Sequence, residues 1–264
     1  MTPPGTALAE RIAPRSNWSA RAGWLLLAAY IVYAASQLGF APERFALGLE
    51  HGRTFLARTW PPNFSRWELI QSGLIESIQI AVIATAAGIA LALPVGFLAA
   101  RNLMPAFVTW PVRGLIALCR SFHPIIVAIL FVKAVGFGAL AGVMALVVAS
   151  IGFIAKLFAE AIEEISLKQV EAVRATGAGF LAVLVMGVVP QVLPRFIGFS
   201  TYQLDSNLRN STMVGIVGGG GIGATLFTAY QRFDFDVVLA ILIVIVAVIM
   251  AAEVFSGWAR KVFQ

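Results

Sequence analysis

The sequence predicts an all-α, polytopic helical membrane protein with about six transmembrane helices, each long enough for a hydrocarbon core of roughly 30 Å. Two observations of composition carry this expectation. Of 264 residues, 59% are hydrophobic and 12% charged, and the mean hydropathy is +0.88. A chain this apolar cannot cover a water-facing surface. The third observation is spacing: apolar segments recur near 22–39, 74–99, 114–135, 138–158, 180–204 and 237–258, separated by charged stretches.

The net charge of +6 and a pI near 10.0 place positive loops against cytoplasm and lipid headgroups. No basic run occurs, so nucleic acid is not an expected partner. Cys119 stands alone, which excludes an intramolecular disulfide. Residues 1–21, with Pro3, Pro4, Pro14 and three arginines, are too polar for a signal peptide and read as a cytoplasmic tail. With the N-terminus inside, Arg101, Arg113, Arg120, Lys156, Lys168 and Arg174 collect on the cytoplasmic side. Arg44, Arg53, Arg58, Arg66, Arg209 and Arg232 then lie outside, four of them interleaved with Glu43, Glu50 and Glu68. Both termini are therefore expected in the cytoplasm.

Residues 22–72 are expected to hold the first span and an external segment. That segment, around Phe45, Leu49, Phe55 and Leu56, reads either as an interfacial helix anchored by Trp60 and Trp67 or as a disordered loop. In the second span Ala84, Gly88, Ala92, Gly96 and Ala100 put a small residue at every fourth position, a stripe that lets another helix approach closely. Pro94 is expected to kink it near its inner end.

The stretch Cys119-Arg120-Ser121-Phe122-His123-Pro124 opens the third span, and Lys133 lies toward its other end. Intramembrane charge marks a candidate functional position. Arg120 and Lys133 can equally snorkel to the two interfaces. His123 cannot reach far, which makes it the stronger pathway candidate beside Arg120 and Ser121.

Between two apolar segments, 166–190 (SLKQVEAVRATGAGFLAVLVMGVVP) is the longest charged interruption in the C-terminal two thirds. Ser166 and Gln169 have capping-box spacing, Lys168, Glu171 and Arg174 recur at i, i+3, and Gly177 can close a left-handed C-cap. A short amphipathic helix outside the bilayer is expected, either as a solvated connector or as a rigid peg for a partner.

After the fifth span come Asn207, Leu208, Arg209, Asn210, Ser211 and Thr212, read as a connection, and then the glycine-rich run at 213–223. Gly218, Gly220 and Gly223 formally match G-x-G-x-x-G, yet no strand precedes them, no acidic partner follows and no Lys makes a Walker A loop. A nucleotide site is thus not expected. Glycines at this density allow irregular backbone at membrane depth only where it lines a cavity or packs on protein. The run 215–223 reads as a re-entrant gate at a two-fold axis, a second copy of the chain supplying the facing wall.

At these residues a family resemblance appears. Glu171, Ala172, Gly177 and Pro190 fall at the spacing of the EAA motif of ABC-importer permeases, with Val173, Gly187 and Val189 departing from it. LPVGFLAARN at 93–102 resembles the first core helix of methionine- and phosphonate-type permeases, which have a stretch similar to Arg120-Ser121 as well. Trp60-Pro61-Pro62-Asn63-Phe64-Ser65, the Arg174-to-Ala178 run, Pro190 with Pro194, and Arg209, Ser211, Thr212, Gly215, Ile216, Val217, Gly218 with Gly220, Gly221, Ile222 and Gly223 resemble the permease subunit of phosphonate ABC importers.

The resemblance implies a type I importer permease domain over 73–264. Its coupling helix would dock Lys168, Glu171, Ala172, Arg174 and Gly177 on an ATPase. Arg120, Ser121, His123, Arg209, Ser211, Thr212, Gly215, Gly218, Gly219, Gly220, Gly221 and Gly223 would serve pathway and gate. It implies two ATPase subunits, a second permease copy, an extracytoplasmic phosphonate-binding protein and a bacterial inner-membrane location. No catalytic residue, metal or cofactor is expected on this chain, ATP being held by the partner subunit. Phosphonate, phosphite and phosphate stay open as cargo. The other class is an ion-gradient-driven secondary transporter or channel. Such proteins place a carboxylate at mid-membrane, whereas Glu160, Asp205 and Glu253 lie near span ends.

Overall fold

A computed structural model of the chain describes residues 18–39 and 42–263, and every regular element among them is helical. Most of the tail expected over 1–21 lies outside the described residues. The chain divides into two compact units, Met1–Arg58 and Thr59–Gln264; the sequence expectation put a boundary at 72.

In the first unit, α1 is Trp18–Gln37 and α2 is Pro42–Thr59. No α1 side chain is buried, and its surface is apolar nearly all round, which suits lipid. Residues 42–59 are helical, the first of the two alternatives for the external segment, with Glu43 in the first turn and Arg58 in the last complementing the helix dipole.

The second unit contains α3 (Trp67–Ala99), α4 (Ala106–Ser121), α5 (Pro124–Val135), α6 (Ala139–Glu163) and α7 (Leu167–Ala175). It continues with α8 (Phe180–Gly219), α9 (Gly221–Gln231) and α10 (Phe235–Phe263). Among the described residues α3, α6, α8 and α10 are long and apolar enough to cross a membrane, and α4 with α5 adds a fifth crossing if the bent pair is one span.

That count differs from six in two places. Helix α1 falls short because its 20 residues include Arg21 and two tyrosines. The segment expected as one span at 114–135 is two helices bent by 90°. Pro124 causes the break: its ring disfavours helical backbone in the residue before it, and His123 is extended, at φ −67° and ψ 141°. Helix α3, in contrast, runs through Pro94 to Ala99.

The core is built on α3 against α6. Ala84, Ala92 and Ala100 of the small stripe are fully buried, and a Cβ on Gly96 would stand 2.7 Å from the Phe158 ring. Larger side chains fill the ends. Ile70, Ile222, Val237 and Ile241 join α3, α9 and α10 at one end. Phe158, Ile162, Val170, Val188 and Val192 join α6, α7 and α8 at the other. At that second end Glu163 accepts from the Arg101 backbone N–H at 2.7 Å and pairs with Arg113, whose Nε donates to the Ala99 carbonyl at 2.9 Å.

Trp60-Pro61-Pro62-Asn63-Phe64-Ser65 also has a structural role. Asn63 donates through Nδ2 to Asp236 at 2.8 Å, and Arg66 pairs with Asp234 at 2.9 Å, tying this stretch to the start of α10.

Candidate functional site

Helix α7 is a peg fixed on one side and open on the other. Val170 is 2% exposed against Val183, Val188 and Ile162; burying a valine contributes about 1.5–3 kcal/mol. Gly187 of α8 lets α7 lie close, since a Cβ there would already be 3.4 Å from the Val170 Cα. Lys168, Glu171, Ala172, Arg174 and Gly177 are all exposed. The residues expected to dock are therefore accessible on α7.

The ends of α7 are held differently from expectation at one end and as expected at the other. Ser166 is the N-cap residue but its side chain makes no capping bond. Instead Gln191 reaches back from α8: its Oε1 accepts from the Ser166 N–H at 2.9 Å, and its Nε2 donates to the Gly187 carbonyl at 2.6 Å. A side chain on the same rigid bundle replaces the local box, which ties the peg to α8. At the C-terminus Gly177 has φ +79° with open space around it, so its left-handed backbone alone demands glycine.

The glycine segment is irregular and packed on protein. Residues Gly215–Gly219 form a π-turn that ends at Gly220, and Gly218, Gly220 and Gly221 have φ of +100°, +80° and +74°. Gly215, Gly219, Gly220, Gly221 and Gly223 are buried. A Cβ on Gly219 would run into Val214 and come within 3.2 Å of the Gly142 Cα, and one on Gly223 would strike the Thr212 carbonyl. The Gly218 carbonyl accepts from the Gly138 N–H at 2.9 Å, and the Ile222 N–H donates to Ser77 Oγ at 2.8 Å. Close backbone approach is thus made inside the chain, by α3 and the start of α6. The glycines do not by themselves require a second copy.

Residues 207–212, expected as a connection, are helix. Helix α8 continues past 204 because its next polar residues face inward and are satisfied: Asn207 is 0% and Ser211 1% exposed. Thr212 is half-buried. Arg209 points outward and pairs with Asp205 at 3.3 Å across one helical turn, a geometry of small energetic weight. Arg120 and Ser121 end α4 and are exposed, and His123 caps α5, its Nδ1 accepting from the Ile125 N–H at 3.4 Å. Arg120, His123 and Arg209 occupy separate elements, and no hydrogen bond or ion pair joins them.

Sequence reading missed a buried polar cluster. Asn207 donates to Thr85 Oγ1 and to Ser150 Oγ, each at 2.9 Å, while Gln203 donates to Ser150 Oγ and to Asn207 Oδ1, each at 3.0 Å. All four residues are buried. Their sole signal in the sequence is polarity inside apolar spans, with Gln203 and Asn207 one turn apart. Among the described residues no group of three or more His, Cys, Asp or Glu is placed to hold a metal ion.

Comparison with known proteins agrees with this architecture. Residues 92–263 match the family described as binding-protein-dependent transport system inner membrane component. The phosphate-import permease protein PhnE of Mycolicibacterium smegmatis is 45% identical over 206 residues, 77% of this chain and 39% of that protein. The phosphite transport system permease protein PtxC of Stutzerimonas stutzeri is 41% identical over 218 residues, 82% of this chain and 79% of that protein. A permease chain from the inward-facing MetNI methionine ABC transporter superposes with a TM-score of 0.67 at 24% identity, covering 76% of this chain and 99% of that one. That likeness is one of fold.

Proposed function

This chain belongs to the binding-protein-dependent transport system inner membrane components, the permease subunits of ABC importers, and from that premise we propose that it imports a phosphorus oxyanion. As a permease it is the membrane-spanning subunit and not the enzyme; ATP is hydrolysed on a separate subunit, and a substrate-binding protein delivers the cargo. The proposal adds the cargo class of phosphonate, phosphite or phosphate, two copies of this chain around one pathway, two ATPase subunits below, and both termini in the cytoplasm. No cofactor is proposed on the chain itself. The cargo class is supported by the names of the relatives, which divide among these anions.

One observation carries the mechanism: α7 exposes Lys168, Glu171, Ala172 and Arg174 while Val170 and Gln191 lock it to α6 and α8. Closure of the ATPase pair on ATP would draw two such pegs together. A rigid attachment passes that push into α8, whose far end is the glycine segment packed on α3 and α6. Rocking of these helices would open the gate at 215–223, the binding protein would release its ligand, and hydrolysis would reset the gate. Arg120, His123 and Arg209 would lower the cost of moving an anion through low dielectric.

The test is reconstitution of this chain with its ATPase and binding protein in liposomes, with uptake of labelled phosphate, phosphite and an alkylphosphonate. Uptake that needs both ATP and the binding protein, and prefers one of these anions, supports the proposal. Uptake driven by a proton or sodium gradient without ATP would replace it with the secondary-transporter reading.

A further inference from the structure

A second site lies between α4 and α6, at the bundle end where α6 leads into α7. There a cavity of about 160 Å³ is bounded by Arg113, Arg120, Lys156 and Glu160, with Ile116 and Ala159 among its apolar walls. That volume is many times the roughly 10–15 Å³ that a single water needs, enough for one phosphate-sized group. Three cations meet there with two carboxylates, Glu160 and the neighbouring Glu163.

The charges are unevenly engaged. Arg113 is committed to Glu163 and to the Ala99 carbonyl. Lys156 and Glu160 stand 3.5 Å apart with side chains 41% and 44% exposed, a pairing that holds neither tightly. Arg120 has no ion pair or hydrogen bond among the described residues. Its position is nonetheless built: a Cβ on Gly152 of α6 would stand 2.8 Å from the Arg120 Cγ and 3.0 Å from the Cys119 Cβ. Glycine at 152 lets the stem of Arg120 lie close against α6, and Arg120 lines the cavity from there.

Helix α4 also sets the depth of the cavity. The 90° bend means that α4 and α5 cannot both follow the bilayer normal. Phe107 and Trp110, near the start of α4, are 79% and 75% exposed. A helix that carries exposed aromatic side chains together with arginines suits the headgroup layer.

We propose that Arg120, Lys156 and Arg113 form an anion site that takes a phosphate group. Two sources share that chemistry: the headgroup of an anionic phospholipid, and a free phosphorus oxyanion. The guanidinium of Arg120 and the ammonium of Lys156 supply charge-assisted hydrogen bonds, and Glu160 releases Lys156 to the ligand. The assignment rests on the cavity; it shares Arg120 with the importer reading but does not depend on that reading.

The test uses the complete permease and ATPase complex, comparing the native chain with the Arg120→Gln/Lys156→Gln double variant and with Arg120→Lys. In one arm, native mass spectrometry measures phosphatidylglycerol retained after delipidation. In the other, equilibrium dialysis measures labelled inorganic phosphate bound by the complex in phosphatidylcholine nanodiscs. The site predicts about a tenfold or greater loss in one arm for the double variant, with Arg120→Lys keeping most of the binding. Loss in the lipid arm assigns the headgroup, and loss in the phosphate arm assigns the free oxyanion. If the native complex holds neither ligand, or the double variant elutes as the same complex and keeps both within about twofold, the site is overturned. Uptake is measured on the same complexes reconstituted into liposomes with the binding protein. A native complex that binds the anion yet imports nothing overturns the transport reading and leaves this site standing.

Discussion

The Asn207 side-chain amide donates to the Thr85 hydroxyl at 2.9 Å, linking α8 to α3 inside the bundle. The Thr85 hydroxyl donates to the Ala81 carbonyl, and the Ser150 hydroxyl donates to the Leu146 carbonyl. The hydroxyl oxygens are therefore free to accept from Asn207 and Gln203. Every donor in the cluster has an acceptor without water, and this fixes the rotation of α8 about its axis more sharply than alanine packing does.

Replacing Asn207 by Leu takes one of two acceptors from the Gln203 amide and adds bulk where three helices meet. The expected loss is about 1–3 kcal/mol, read as a lower thermal midpoint of the purified protein in detergent. An unchanged midpoint would show that the cluster is not a stabilising lock.

Gly177→Val is expected to insert and fold but to uncouple ATP hydrolysis from uptake. A β-branched residue resists φ near +79°, at a cost of about 1–2 kcal/mol, and relief of that strain reorients the end of α7. Asn tolerates this conformation, so Gly177→Asn should keep most of the coupling. Uptake per ATP in liposomes separates the two variants, and equal coupling in both counts against α7 as the transmitting element.

Gly219→Leu is expected to abolish transport, because the Cβ alone meets Val214 and the Gly142 backbone. At Gly257 nothing lies within 4 Å of the added atom, so Gly257→Leu should transport normally. Assaying both variants at matched membrane abundance is the check, and normal transport by Gly219→Leu would remove the segment from the gate.

A second copy of the chain is tested by crosslinking. Met213 is 47% exposed where the neighbouring Val214 and Gly215 are buried, so it is the available contact of this stretch. In a Cys119→Ser background, Met213→Cys should form a disulfide dimer on oxidation, and its yield should change when ATP is trapped. Absence of the dimer in every trapped state would move the two-fold axis away from this segment.

Much of the architecture was legible in the sequence because it rests on local physics. Composition demanded a bilayer, Gly177 demanded a left-handed cap, and the four-residue spacing from Ala84 to Ala100 announced a close helix contact that α6 makes. The helix at 167–175 was legible for the same reason, since its charged residues recur at i, i+3.

Other features were decided by residues far apart in the chain. Ser166 has the spacing of a local capping box, yet Gln191, 25 residues on, takes the bond. The polar run after 204 looked like a connection because polarity inside a membrane usually ends a span. Here Thr85 and Ser150, contributed by α3 and α6, satisfy Gln203 and Asn207 and so let the helix continue. The glycines of 215–223 announced close approach without naming the partner, which proved to be Gly142 and Ser77 of the same chain. Periodicity and the left-handed cap at Gly177 depend on neighbours within about a helical turn, and the sequence alone determined those. Which buried donor meets which acceptor depends on the packing of whole helices, and only the tertiary structure decided that.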